Sequence, residues 1–212
     1  ALDPSRDASL RSAALLALAK IGVAPGQPLG DHRDALVAVL RPHLADANQE
    51  VSESATLALG ILGAETAAPL LAALLADEDQ GRRAVARQGV DRRTRAFAAF
   101  ALGLVARSSA REDVRRFAVS RLSSALGAPS VGHDVPVACA MAIGWVPLAP
   151  AEGPVSSGGA GDAGGSGDAA TNAPASASRE AQIAFVLRLF ADGERSPTVR
   201  AHLAVALAQL TV

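Results

Sequence analysis

The chain has 212 residues, a net charge of −1, and a composition in which half the residues are hydrophobic but only 3% are aromatic. Ala and Leu dominate the apolar positions and Tyr is absent, which argues against a strand-rich fold and for helix packed on helix. The balanced charge speaks against general nucleic-acid binding. The lone Cys139 excludes an internal disulfide and any CxxC centre, and no apolar run reaches the roughly 18 residues of a membrane span.

The first predicted helix is Asp7-Ala-Ser-Leu-Arg11 to Ile21-Gly22, opened by a capping Asp and faced with Ala and Leu. A second helix is expected over 32–45, where Leu36, Val37, Leu40 and Leu44 recur at helical spacing. The pattern then returns: Asn48-Gln-Glu-Val-Ser52 to Leu62-Gly63, followed by a helix at 65–77. A long Arg-rich connection leads into Asp91-Arg-Arg-Thr-Arg95 to Ala106, and then into a helix at 111–127 with Val114, Ala118, Leu122 and Ala125 on one face. The fourth copy runs from His133-Asp-Val-Pro136 to Gly144-Trp-Val, capped by His133 or Asp134. Its partner helix, at 179–192, lies beyond an insert, and the fifth copy runs from Ser196-Pro-Thr-Val-Arg200 to Leu210.

With Arg11, Ser52, Arg95, Pro136 and Arg200 taken as equivalent, the spacings are 41, 43, 41 and 64. Removing about 26 residues of insert from the last returns a period near 38, close to the roughly 40–47 residues of a HEAT or armadillo unit. Neither helix of such a pair can bury its apolar face alone, so pairs stack. The fold expected is therefore all-α: a right-handed α-α superhelix of about four and a half helix pairs. Its units are 1–47, 48–80, 81–130, 131–194 and 195–212, the last being a first helix only. Neither end carries a polar capping helix. The reading is of a fragment of a longer protein, or of ends covered by another domain, with a naturally short array as the alternative.

The segments Arg-Ala-Phe-Ala-Ala-Phe-Ala-Leu-Gly-Leu (95–104), Ala-Thr-Leu-Ala-Leu-Gly-Ile-Leu-Gly (55–63) and Pro-Thr-Val-Arg-Ala-His-Leu-Ala-Val-Ala-Leu (197–207) resemble the HEAT-repeat family, including the bacterial phycobilin-lyase HEAT-like type. The resemblance covers nearly the whole chain apart from the insert, and it departs where Ser52 and Pro136 stand in place of the usual Arg. It implies a non-catalytic scaffold that binds another protein over the surface of its stacked pairs. As alternatives it implies a bilin-lyase-type enzyme or chaperone, or a nucleic-acid-binding HEAT-like protein using the Arg-rich third repeat.

The insert, 149–178, is rich in Ala, Gly, Ser, Asp and Pro with Val155 as its only large apolar side chain, and is expected to be a flexible loop. It holds a formal GxGxxG at Gly159, Gly161 and Gly164. It also holds a doubled Gly-Gly-x-Gly-Asp-Ala at 158–163 and 164–169. The first lacks the strand before and helix after that a phosphate cradle needs, and the second supplies too few carboxylates for calcium.

No catalytic, cofactor or metal constellation stands out. His32 and His43 share a helical face but lie eleven residues apart, about 16 Å along the axis, too far to hold one metal. Cys139 sits in an apolar run and reads as core, as does Trp145, for which a hot-spot contact is the alternative. Charge is unevenly spread: residues 82–121 hold eleven Arg and three acids, between flanks in which acids predominate. Such a block either forms a ridge for carboxylate or phosphate, drawing a partner with an acidic surface, or pairs with acids of adjacent repeats.

In the family that the chain resembles, second helices line the concave surface. On their outward positions the candidate contacts are Arg41, Arg115, Arg116, Ser120, Phe185 and Arg188, with Phe185 as an exposed aromatic anchor. Ala38, Ala73 and Ala76 share the row. A single cysteine favours the cytoplasm, and the absence of an initial Met leaves room for an upstream targeting segment.

Overall fold

A computed structural model describes residues 7–21, 30–129, 132–151 and 174–211, and among these the regular structure is helical throughout. Ten α-helices follow in order: α1 (Ala8–Ile21), α2 (Gly30–Leu40), α3 (Gln49–Leu62), α4 (Ala68–Leu75), α5 (Asp79–Ala84), α6 (Arg92–Ser108), α7 (Glu112–Gly127), α8 (Asp134–Gly144), α9 (Arg179–Ala191) and α10 (Pro197–Thr211). Short 3-10 turns, Arg41–Ala45 and Glu65–Ala67, continue α2 and lead into α4. The glycine motifs at 158–169 lie outside the described residues.

The first helices α1, α3, α6, α8 and α10 pack side by side in that order, and the second helices α4, α7 and α9 each lie against the following first helix. That is an α-solenoid. Positions counted from the aligned residues show why the sequence stacks this way. Three positions on stand Ala55, Ala98, Cys139 and Leu203, and seven on stand Leu59, Leu102 and Ile143; all are buried toward the second helices. Full burial of each large side chain among these contributes about 2 kcal/mol.

Eight positions on stand Gly60, Gly103 and Gly144, each opposite the Ala six positions into the next first helix: Ala101, Ala142 and Ala206. The glycines let adjacent first helices approach backbone to backbone. At the two outer helices the unpartnered stacking positions lie open: Ala17 of α1, six on, and Ala208 of α10, eight on, are both exposed. Leu10 of α1, one before the aligned residue, is 49% exposed where Val51, Thr94, Val135 and Val199 are buried.

The aligned residue itself has a defined job, closing the end of the preceding second helix. Nε of Arg95 donates to the Leu75 carbonyl at 2.8 Å and Nε of Arg200 to the Phe190 carbonyl at 3.0 Å. Ser52, which departs from the Arg pattern, does the same with its hydroxyl, donating to the Leu44 carbonyl at 2.8 Å. Each bond satisfies a carbonyl left without an intrahelical partner. Pro136 has no donor, and there Nη1 of Arg195 reaches in from the turn before α10 to the Leu126 carbonyl, 3.0 Å away. Arg195→Met is therefore expected to cost about 1–2 kcal/mol in urea unfolding, because it strips a charged donor from a helix end. A cost near zero would show that α7 needs no such closure.

Capping follows the sequence in part. Asn48 accepts from the backbone N–H groups of Glu50 at 2.9 Å and Val51 at 3.4 Å, and Ser196 accepts from Val199 at 3.3 Å. Asp7 accepts from Ser9 at 3.4 Å. Neither Asp91 nor His133 caps through its side chain. Asp91 is instead paired with Arg87, which withdraws its carboxylate from the helix end.

Two segments differ from expectation. The Arg-rich connection contains α5, which lies on α4 and places Gly81 on the backbone of Ala73, so Ala73 is buried rather than part of a contact row. Asp77 turns the chain there in the left-handed region, φ 56°, and its carboxylate binds the Val90 N–H at 2.7 Å and Arg82 at 3.1 Å. The described ends of the insert are held rather than loose. The Arg179 N–H donates to the Ala149 carbonyl at 3.0 Å, the Ala151 N–H to Glu180 at 2.8 Å, and Ala175 and Ser178 are buried.

Candidate functional site

A solenoid of this kind offers two broad surfaces, one on each helix layer, and the side chains divide unequally between them. On the first helices, the positions five and nine after the aligned residue point away from the second helices. In α3 they are Leu57 and Ile61, in α6 Phe100 and Leu104, and in α8 Met141 and Trp145. Leu16 of α1 and Phe97 of α6 extend the row, and all eight are half-buried. Leu16, Ile61, Phe100 and Trp145 also pack at the edge of the core.

At the centre of the row Phe100 and Trp145 stack across adjacent helices, with ring centroids 5.8 Å apart and planes inclined by 28°. Such a pair contributes roughly 1 kcal/mol beyond its burial and holds both rings in one orientation. Beside Trp145 a groove of about 530 Å³ opens, lined also by Arg107, Arg115, Pro147 and Gln209. Trp145 is thus at once a core-edge residue and the wall of a groove.

The sequence had pointed to the other layer, and its candidates are scattered there. Arg41 is exposed and opens on a groove shared with Pro42, Gln80 and Arg83. Arg115 opens instead on the groove beside Trp145. Arg115 and Arg116 both pair with Glu112, at 2.7 and 3.2 Å, and Arg116 also donates to the Ala177 carbonyl. Ser120 is exposed on α7.

Phe185 is not the exposed anchor expected: it is half-buried against the core, and the Arg188 guanidinium lies over its ring, 5.6 Å from the centroid. The exposed apolar side chain of α9 is Leu187, two residues on and 48% accessible.

The Arg-rich block is largely compensated. Arg93 pairs with the buried carboxylate of Glu53 at 2.9 Å, Arg111 with Asp113 and Glu65, Arg121 with Glu78 at 2.8 Å, and Arg82 with Asp77. Several of these join adjacent repeats, so the block reads as ties between repeats more than as a free basic ridge.

Glu112 is the hub of its group. Burial pushes its carboxyl up, but the Ala149 N–H, Arg115 and Arg116 together outweigh burial and hold it below the usual carboxylate range. A depressed carboxylate stabilises the fold fully above its unfolded value and loses that contribution as pH falls through the folded one. Thermal stability of the wild type is thus expected to fall as pH drops below about 4, and to fall less steeply in Glu112→Gln. Parallel curves for the two proteins would refute the assignment.

Cys139 is fully buried, and burial pushes its thiol up to about 12, so it packs as a small apolar side chain. Among the described residues no three His, Cys, Asp or Glu side chains are grouped as metal ligands, and no helix is long and apolar enough to cross a membrane.

Apart from Trp145, for which a hot-spot contact is the alternative reading, the half-buried side chains of the outward row escaped the sequence reading because first helices are apolar nearly all round. The available signal was size: Ala and Gly hold the stacking positions, whereas five and nine positions on the residues are Leu, Ile, Phe, Met or Trp from α3 to α8.

Comparison with known proteins agrees with this architecture. A family model described as HEAT repeats matches residues 1–91. No curated protein matches the chain. Among solved structures, the crystal structure of an engineered protein is 17% identical, with a TM-score of 0.37, over 98% of this chain and 93% of that one. The HEAT-repeat model thus matches residues 1–91, and the side-by-side packing of first helices seen there carries on through α6, α8 and α10.

Proposed function

We propose that the chain is a non-catalytic scaffold that binds a protein partner on the outward face of its first helices. HEAT repeats commonly serve as protein-interaction scaffolds and are generally non-enzymatic. One observation carries the reading: Leu57, Ile61, Phe97, Phe100, Leu104, Met141 and Trp145 form a half-buried apolar row across three successive helices. A row of large apolar and aromatic side chains on a rigid layer is the composition of an interface core, where a few Trp and Phe anchors dominate the binding energy. Small residues beneath it hold the helices close, so the row is preorganised and little ordering cost falls on association.

The second-helix set of Arg41, Arg115, Arg116, Ser120, Phe185 and Arg188 remains an alternative face for the same function. A photo-crosslinking amino acid placed in turn at Ser54, Leu104, Ser120 and Arg188 tests the two faces in the producing cell. Adducts to one protein partner are expected from Ser54 and Leu104. Adducts confined to Ser120 and Arg188 would transfer the function to the second helices, and adducts from none of the four would refute it.

A further inference from the structure

The groove between α4 and α7 lies apart from the outward row and is lined by three arginines. It encloses about 650 Å³, and Arg92, Arg95 and Arg121 line it over a floor that includes Ala72, Ala125 and Val135. No Asp or Glu lines it among the described residues. The volume falls within the several-hundred-Å³ range of ligand sites, and such sites join an apolar body with a few placed polar groups.

The arginines are held in position from behind. Nε of Arg95 is fixed on the Leu75 carbonyl at 2.8 Å, while Nη2 of Arg121 is fixed on Glu78 at 2.8 Å. Nε of Arg121 is shielded from solvent and has no hydrogen-bond acceptor. That atom is out of a ligand's reach, and it is the Nη groups of the two forks that the groove offers to a carboxylate.

We propose that this groove binds an acidic peptide segment, with a side-chain carboxylate on Arg95 and Arg121 and an apolar neighbour on the Ala and Val floor. Guanidinium forks match planar carboxylates; Asp134 pairs with Arg92 at 3.6 Å and Glu78 with Arg121 at 2.8 Å, but neither acid lines the groove, so the groove's own surface presents the guanidiniums. Nucleic acid fits less well, because no aromatic ring lines the groove for a base to stack on.

The test is fluorescence anisotropy of a labelled hexapeptide of alternating Leu and Glu, with a Leu-Lys hexapeptide and a labelled single-stranded DNA hexamer as comparisons. Ser124 is an exposed residue lining the groove, so Ser124→Glu adds a carboxylate there while leaving the fold in place, which circular dichroism checks. The Leu-Glu peptide is expected to bind the wild type more tightly than either comparison. Its affinity is expected to drop about tenfold or more in Ser124→Glu and in Arg121→Gln, and to be unchanged in Leu104→Ser on the outward row.

Equal affinity for wild type and Ser124→Glu, tighter binding of the DNA, or displacement of the peptide by equimolar inorganic phosphate would overturn the proposal. Because Leu104→Ser touches only the outward row, failure here and failure of the scaffold reading are separable.

Discussion

Gly60→Ala is expected to destabilise the chain by about 2–3 kcal/mol in urea unfolding, although Gly to Ala in an open helix stabilises by up to about 1 kcal/mol. The reversal comes from the close approach of α3 and α6. A Cβ on Gly60 would meet Ala101 at its Cβ, 2.7 Å away, at its carbonyl oxygen, 2.9 Å away, and at its Cα, closer still. Two of those atoms are backbone and cannot rotate aside, so the helices themselves must part. Separating them loosens the packing of Ala58, Leu59, Leu102 and Ala99 on either side, all of them fully buried.

The same argument applied to Gly103, where the nearest atom is the Ala142 Cβ at 2.8 Å, predicts a smaller loss, because only the α6–α8 seam has to give and it meets a side-chain atom first. Gly127, at the end of α7, has nothing within 4 Å of an added Cβ. There the ordinary propensity effect should appear alone, and Gly127→Ala should stabilise by about 0.5 kcal/mol. If Gly60→Ala matched Gly127→Ala, first-helix spacing would not be set by these glycines.

This glycine ladder explains why so much of the fold was legible in the sequence. Stacking favours a small residue at the same step of each first helix, so Ala19, Gly60, Gly103 and Gly144 recur and the period shows through. Helix positions followed from that period, and Ser52 and Pro136 could be seen as departures before their consequences were known.

What the sequence hid depends on partners brought near by folding. Arg195 lies 59 residues after the position it serves, and nothing local distinguishes it from any other Arg before α10. α5 is six residues long with two Arg and an Asp, and it becomes a helix only because it covers the small face of α4 at Ala73. The candidate site was hardest to see. First helices carry apolar residues on three sides, toward the previous helix, the next helix and the core. A fourth apolar side, facing outward, adds nothing to the periodicity that a single sequence displays. Phe185 and Leu187 stand about 200° apart on α9, and α9 is apolar on both sides, so its sequence alone does not say which of them faces the core.

Gln182→Leu is expected to cost about 2–5 kcal/mol. Gln182 is wholly buried in α9 and is the only side chain that ties the end of α8 to the far side of the insert by three bonds among the described residues. Its Nε2 donates to the Val146 carbonyl at 2.8 Å and the Ile143 carbonyl at 3.2 Å, and its Oε1 accepts from the Leu148 N–H at 3.2 Å.

Those three backbone groups belong to the end of α8 and the extended run after it, where the Ile143 carbonyl alone of the three has a second partner, the Val146 N–H at 3.2 Å. Leu matches the volume of Gln closely, so the substitution creates little cavity. Its cost comes from leaving the Leu148 N–H and the Val146 carbonyl dry in the interior, each worth about 1–3 kcal/mol. Gln182→Glu separates the two halves of the network. It keeps an acceptor for Leu148 but places a carboxylate against two carbonyls, so it should be destabilising at neutral pH and recover partly as pH falls and the acid is protonated. Leu should show no such recovery. A Leu variant within 1 kcal/mol of wild type would mean that water enters to serve the three groups, and that the fourth repeat is closed across its insert by packing alone.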